Sequence, residues 1–201
     1  QIQNAAGTSL LTVDTTNSLI VTTAAQESIN QYNNSNGGIG QTQNLVTYSE
    51  QFNNAAWVST GTVTITADSV AGPDNYAAFA TPLAADTLAG STAAAKKAQS
   101  YTTATTGNYT FSVWIRSTAG TQAVDLSIDA TGTNPTTGTK KTVTATTTWQ
   151  RFFVTQNIAG PTISTVVANI YPGSTATGTV YAYGAQLNQG TQMLVYTRTT
   201  A

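Results

Sequence analysis

The stretch "YTFSVWIRS" at residues 109–117 decides the fold class, because its side chains alternate between two kinds. The apolar set is Tyr109, Phe111, Val113 and Ile115, and the other set is Thr110, Ser112, Trp114 and Arg116. Successive residues of a strand point to opposite sides, so this period of two predicts a strand with one buried face. The second face is polar except for its tryptophan, which makes Trp114 a candidate for a functional role.

The same kind of pattern recurs on both sides of that stretch. Strand-like runs are "TVTITAD" at 62–68, "AVDLSIDA" at 123–130, "KKTVTATTTWQRFFVTQ" at 140–156, "TVVANIYP" at 165–172 and "TVYAYGAQL" at 179–187. Turn residues separate them at the intervals typical of β-sandwiches. We therefore expect an all-β fold, an antiparallel two-sheet sandwich of the jelly-roll type or a close relative. The run "AGSTAAAKKAQS" at 89–100 suits a short helix or a loop equally well.

Composition excludes several classes of function. Charged residues make up 7% of the chain and the net charge is −1, so no basic surface is expected that would bind a nucleic acid. No apolar run is long enough to span a bilayer. The chain has no cysteine and no histidine, which excludes thiolate chemistry and a histidine-based triad. Few charges and abundant threonine are typical of an exported protein of a cell or virion surface, and the start at Gln1 suggests a processed or partial product.

The first part of the chain differs from the rest. Residues 1–29 contain two β-prone runs around "DTTN" at 14–17, which predicts a β arm with a hairpin. Residues 30–43 are rich in Asn, Gln and Gly and predict a linker. The sandwich is then expected to occupy residues 44–201.

Four segments together resemble a known family. They are "NLVTYSEQFNNAAW" at 44–57, "NYTFSVWIRS" at 108–117, "TTTWQRFFVT" at 146–155 and "VYAYGAQLNQG" at 180–190, the last followed by "YTRTTA" at 196–201. The combination is similar to the carbohydrate-binding-module-like jelly-roll domains of phage tail and virion proteins and of bacterial surface proteins. The chain departs from the family pattern at Tyr183, where Trp is common, and at Asn188, where an acid is common. The segment "IQNAAGTSLLTVDTTNSL" at 2–19 resembles the β arms of fibre-like proteins.

The resemblance implies that "VYAYGAQL" at 180–187 is a structural strand. Period-two alternation gives it one bulky face, which we expect to close the core, formed by Tyr181, Tyr183, Ala185 and Leu187. Gly184 in this strand suits a close contact or a bulge. Trp57 and Trp149 are, like Trp114, candidate platforms for stacking a sugar ring. The resemblance instead implies that these two tryptophans are core anchors, which is the role we expect for them.

Catalytic groups are scarce. Asp125 and Asp129 fall on one strand face about 13 Å apart, too far for the paired carboxylates of a glycosidase, and we expect solvated acids there. The four lysines, Lys96, Lys97, Lys140 and Lys141, are expected at the surface. No enzymatic activity is predicted, and no cofactor is implied beyond a possible structural calcium ion held by oxygen atoms of Asp68, Asp74 and Asn75.

Two functions fit this sequence. The first is a structural subunit of an extracellular filament or virion fibre, a homopolymer in which the arm adds a strand to a neighbouring copy. The arm residues expected to make that contact are Leu10, Leu11, Val13, Leu19, Ile20 and Val21. The alternative is a carbohydrate-binding module that attaches a phage or cell to surface polysaccharide, with Trp114, Arg116 and Tyr48 as the glycan-binding residues.

Overall fold

The computed structural model of the chain describes residues 2–3, 9–14, 19–21, 43–73, 84–102, 104–132, 137–160 and 163–200. The chain divides into two compact units, Gln1–Gln41 and Thr42–Ala201. No helix occurs within the described ranges.

The first unit contains three short strands in the order β1-β2-β3, namely β1 (Ile2–Gln3), β2 (Ser9–Asp14) and β3 (Leu19–Val21). Strands β2 and β3 pair antiparallel, with Thr12 opposite Val21, which agrees with the predicted hairpin. The six residues expected to drive assembly lie on β2 and β3, but their side chains lie outside the described part of the structure.

The second unit is a sandwich of two antiparallel sheets, as predicted. The first sheet has the order β10-β9-β12-β7-β4 and the second has the order β11-β8-β13-β6-β5. The strands are β4 (Val58–Thr60), β5 (Val63–Ala71), β6 (Ala84–Gly90), β7 (Lys96–Tyr101), β8 (Gly107–Ser117), β9 (Gln122–Gly132), β10 (Lys141–Ala145), β11 (Gln150–Ile158), β12 (Ile163–Tyr171) and β13 (Gly178–Gln189).

Strand β7 is a difference from the sequence analysis, which offered a short helix or a loop at 89–100. Residues 91–95 form the turn, where the Ala95 N–H donates to the Thr92 carbonyl, and residues 96–101 form the strand. Strand β7 pairs with β12 on one side and β4 on the other. Two flanking ladders satisfy the backbone groups of this alanine- and lysine-rich segment, and tertiary pairing overrides its local preference.

The core forms from the alternate residues predicted for β8 and β9. Among its fully buried members are Phe111, Val113 and Ile115 of β8, Val124, Leu126 and Ile128 of β9, and Val166, Ala168 and Ile170 of β12. Trp57 joins them as a buried anchor, as expected, with its ring 4.9 Å from that of Phe52. Trp149, also expected in the core, is instead half-buried just before β11.

A bulge in β13 changes which side chains of that strand reach the core. The pairing with β8 shifts between Tyr183, opposite Trp114, and Gln186, opposite Ser112, so β13 carries one residue more than its partner. Gly184 lies there with φ of +61°, a conformation that disfavours side chains.

The bulge and the strand register overturn the expected face of β13. Val180 and Ala182 lie in the core before the bulge, and Ala185 and Leu187 lie there after it. The bulky face expected to close the core is therefore wrong for Tyr181, which pairs with Arg116 on the polar face of β8. Tyr183 is buried, as expected, but on the outer face beside Trp114 and not in the core cluster.

A buried carboxylate ties the lead-in segment, residues 43–57, to the second sheet. The carboxylate of Asp86 on β6 accepts hydrogen bonds from the backbone N–H groups of Phe52 at 2.7 Å and Asp68 at 3.0 Å. Burial raises the pKa of Asp86, and these donors oppose the shift. Asp68 adopts a positive φ of 50° where β5 shifts its register against β6.

Lys97 is buried, so the expectation that all four lysines lie at the surface is wrong for this residue. Its ammonium group donates to the backbone carbonyl of Trp57. Burial lowers the pKa of Lys97, and the charge of Asp86 opposes that shift. The two ionic groups thus help to fix the lead-in segment against both sheets.

We expect Asp86→Ala to lower the free energy of unfolding by about 2 to 4 kcal/mol, because two backbone donors lose their acceptor. Chemical denaturation measures this change. The exposed neighbour Thr66→Ala on β5 is the matched control and is expected to change stability by less than about 1 kcal/mol. Equal effects of the two substitutions would contradict the structural role of Asp86.

Two glycines allow a second comparison, because both have a left-handed backbone but only one is crowded. A Cβ at Gly184 would lie 3.1 Å from Trp114 Cδ1 and 3.2 Å from Tyr196 Cζ, whereas a Cβ at Gly120, with φ of +58°, would meet nothing within 4 Å. We expect Gly184→Ala to cost about 1 to 3 kcal/mol more than Gly120→Ala, since only the first adds crowding to backbone strain. Thermal denaturation of both variants measures the difference, and similar losses would show that the aromatic contacts are not rigid.

Candidate functional site

Aromatic side chains converge on the outer face of the second sheet, opposite the core. Trp114 on β8 and Tyr183 on β13 are cross-strand partners, and Trp149 lies just before β11. Together with Pro73 and Tyr196 they line a cavity of about 330 Å³. We call this space the aromatic cavity.

Tyr196 reaches the aromatic cavity from the C-terminal segment, residues 190–200. Its ring lies 6.2 Å from that of Tyr183 at an angle of 52°. Its hydroxyl group lies 2.8 Å from Ser49 Oγ and donates to Glu50 Oε1 at 2.9 Å. Burial raises the pKa of Tyr196 far above its ordinary value, so the phenol stays protonated and its ring is held in place as one wall of the cavity.

Arg151 holds the C-terminal segment against the sheet. Its guanidinium group donates to the Leu194 carbonyl at 2.8 Å, to Ser112 Oγ at 2.9 Å and to Gln186 Oε1 at 3.1 Å. Burial lowers the pKa of Arg151. These contacts position the segment that carries Tyr196, and sequence reasoning gave no role to this arginine.

Arg116 lies next to the aromatic cavity on the same face of β8 as Trp114. Its guanidinium carbon is 5.3 Å from the centroid of the Trp149 ring and 4.8 Å from that of Tyr181. Both distances are within the range of cation–π attraction. Trp149 therefore links the aromatic cavity to Arg116, because its ring lines the cavity and also packs against the guanidinium group.

The structure brings together two of the three residues expected to bind a glycan. Trp114 lines the aromatic cavity and Arg116 contacts its wall at Trp149. Tyr48 is not among the described residues that line this cavity. It lies in the lead-in segment with φ of +48°, and its carbonyl accepts a hydrogen bond from Trp57 Nε1.

The calcium prediction falls largely outside the described residues. Asp74 and Asn75 are not described, and Asp68 is exposed with its N–H bound to Asp86. Among the residues that are described, no group of three acidic side chains is arranged to hold a metal ion. The role of these three residues stays a prediction.

The outer face of the first sheet is polar, and its charges are paired. Lys140 Nζ lies 3.6 Å from a carboxylate oxygen of Asp125, and Lys96 Nζ lies 3.5 Å from one of Asp129. The ammonium group of Lys140 also lies 3.7 Å from the centre of the Tyr171 ring. We call this set the polar face.

The expectation of solvated acids is wrong for Asp125, which is buried. Its carboxylate accepts a hydrogen bond from the Thr142 hydroxyl at 2.7 Å. Nearby, the Gly138 N–H donates to Asp129 at 2.9 Å, and Gly138 lies so close to the backbone of Ile128 that no Cβ would fit. Residues 137–140 thus lie against β9 beside these two acids.

Sequence reasoning missed two of the rings around the cavity, because Tyr183 was expected in the core and Tyr196 carried no assignment. Trp149 was a candidate sugar platform for which a core role was favoured. The cross-strand pair of Trp114 and Tyr183 depends on the register of β13, which alternation alone does not reveal. Within the described ranges the structure contains no helix with the length and apolar character needed to cross a membrane.

No family model and no curated protein matches the chain. Solved structures do match it. One match is the enzymatically active domain of bacteriophage CBA120 tailspike protein 4, with a TM-score of 0.55 and 18% identity over 73% of this chain. The match covers only 21% of that tailspike chain.

Two further matches are carbohydrate-binding modules. The CBM22-1 xylan-binding domain from Paenibacillus barcinonensis has a TM-score of 0.52 and 11% identity, and the match covers 75% of this chain and 97% of that domain. The second is a structure of the CBM22-1 and GH10 modules of a Clostridium thermocellum endo-1,4-β-D-xylanase, complexed with xylohexaose. It has a TM-score of 0.52 and 14% identity, and the match covers 74% of this chain and 29% of that chain. The sandwich thus has the jelly-roll-like fold shared by carbohydrate-binding modules and a phage tailspike domain, as its sequence resemblance implied.

Proposed function

We propose that this chain is a non-catalytic glycan-binding module whose ligand occupies the aromatic cavity. The observation that carries the proposal is the convergence of Trp114, Trp149, Tyr183 and Tyr196 around a space of about 330 Å³ on the outer face of a sheet. Sugar rings present apolar faces that pack against aromatic rings, and small-molecule sites are typically concave, aromatic-lined and largely pre-formed. Such a module attaches its bearer to polysaccharide outside a cell or virion.

One wall of the aromatic cavity, Tyr196, is held in place before any ligand binds. Tyr196 is fixed through its hydroxyl contacts with Ser49 and Glu50, and Arg151 fixes the segment behind it. Binding therefore requires little ordering of side chains, which lowers the entropic cost of association.

The polar face is a less suitable binding site for a sugar than the aromatic cavity. Its aromatic ring, Tyr171, is buried and is faced by the Lys140 ammonium group, and its acids are engaged in ion pairs. A sugar would have to displace these contacts. This comparison favours the aromatic cavity over the polar face.

The fold supports this proposal only in general terms. One similar structure is a xylan-binding domain, and another is a pair of CBM22-1 and GH10 modules complexed with xylohexaose. Function nevertheless depends on the side chains of the site, since one fold supports many functions.

We expect Trp114→Ala to weaken binding to a matching polysaccharide about 30-fold, which corresponds to about 2 kcal/mol for a central aromatic contact. A panel of surface and plant polysaccharides, screened by affinity electrophoresis and then by calorimetry, provides the measurement. Phe153→Ala is the matched control, because this ring is 38% exposed and lies outside the cavity.

A second control addresses the polar face. Lys140→Ala removes an exposed ammonium group from that face and is expected to leave affinity unchanged. If Lys140→Ala abolished binding while Trp114→Ala bound as tightly as the unchanged chain, the ligand would lie on the polar face and the present assignment would fail.

Assembly through the arm stays a prediction, with the antiparallel pairing of β2 and β3 as its structural context. If the arm adds a strand to a neighbouring copy, the full chain will form polymers and a chain that begins at Gln43 will be monomeric. Light scattering and negative-stain microscopy of both chains measure this. If both chains were monomeric, the prediction of assembly through the arm would be wrong, and the proposal of glycan binding would be unaffected.

A further inference from the structure

Arg116 differs from the other two arginines of the chain in its polar contacts. Arg151 donates to three acceptors, and Arg198 pairs with Glu50 at 3.0 Å. Arg116 contacts the rings of Trp149 and Tyr181, and it forms no hydrogen bond or ion pair with any other residue that the structure describes. Its Nε is buried and lacks an acceptor within that part of the chain, as does the Nε of Arg151; the difference is that the terminal nitrogens of Arg151 have acceptors.

This arrangement is costly unless a further group completes it. A buried donor without an acceptor costs about 1 to 3 kcal/mol, and attraction to ring faces does not replace hydrogen bonds in the guanidinium plane. The two rings restrain the side chain, and the half-buried guanidinium group keeps a planar set of donors. Such a fork matches the paired oxygens of an oxyanion.

The position of Arg116 relates this donor set to the aromatic cavity. Trp114 and Arg116 are two residues apart on one strand face, which places their Cα atoms about 7 Å from each other. Trp149 lines the cavity and also contacts the guanidinium group. Arg116 therefore lies beside the cavity, next to one of its walls, and its side chain is the nearest described cation to a substituent that projects past Trp149.

We propose that the glycan bound in the aromatic cavity is acidic and that Arg116 binds the oxyanion on its sugar ring, a carboxylate or a sulfate. This inference rests on the proposed function and adds the class of ligand. The net charge of the chain is −1, so no general electrostatic attraction draws in a polyanion, and selectivity comes from this one contact. Conversion of the acid to a neutral group would leave the donors of Arg116 unpaired in the complex.

The test measures affinity for three matched classes of oligosaccharide by calorimetry. The probes are hexuronate oligosaccharides (galacturonate, glucuronate and mannuronate), the same oligosaccharides with their carboxyl groups reduced to alcohols, and sulfated oligogalactans. We expect at least one acidic probe to bind about tenfold or more tightly than its neutral counterpart. Binding of the uronate identifies a carboxylate, whereas binding of the sulfated probe alone identifies a sulfate ester.

Variants then assign the selectivity to one side chain. Arg116→Gln is expected to remove the preference for the acidic probe while residual binding to the neutral probe persists. Arg116→Lys keeps the charge without the fork and is expected to retain part of the preference. Trp114→Ala is expected to weaken both classes of probe alike, and thermal denaturation checks that each variant is folded.

The outcomes separate this inference from the proposed function. Equal affinity of the unchanged chain for acidic and neutral probes, with loss of both in Trp114→Ala, would overturn acidic selectivity and keep glycan binding. A preference that survives in Arg116→Gln would also overturn the inference. Absence of binding to every polysaccharide and probe would reject both proposals, and the comparison within the unchanged chain does not depend on any variant folding.

Discussion

The bulge at Gly184 is the constraint on which the candidate site depends. Strand β13 lies between β8 and β6 in the second sheet, and its extra residue lets the strand supply the core both before and after the irregularity. The absence of a Cβ at Gly184 allows Trp114 and Tyr196 to approach the backbone there. One residue without a side chain thus permits two aromatic rings to meet on the outer face.

The lead-in segment forms hydrogen bonds with this same strand and with the C-terminal segment that follows it. The Leu45 N–H donates to the Leu187 carbonyl and the Ala185 N–H donates to the Ser49 carbonyl. The Asn44 side-chain amide donates to the carbonyls of Ala185 and Thr197, so it joins the lead-in and C-terminal segments. These contacts satisfy backbone groups around the bulge. They also hold the C-terminal segment where Tyr196 lies beside Trp114, so the bulge that shapes the core also positions a wall of the aromatic cavity.

The sequence predicts the parts of the fold that depend on neighbouring residues. Alternation identifies β8 and β9 and their buried faces, because each strand is amphipathic by itself. It does not identify β7, whose alanines and lysines become a strand only between two partner strands. It also gives the wrong face for Tyr183, because that face depends on register, and it leaves Asp125 apparently solvated because residues 137–140 lie against β9 only in three dimensions.

The hydrogen bonds between Ser49 and Thr199 have a mechanical consequence. The backbone of each residue is bonded to the other, with Ser49 N–H donating to the Thr199 carbonyl and Thr199 N–H donating to Ser49 Oγ. A pulling force applied at residue 200 would load these bonds first, together with the bond from the Thr199 hydroxyl to the Val46 carbonyl. Because Tyr196 lies in the loaded segment, tension at this end would displace one wall of the aromatic cavity while the sandwich stayed folded.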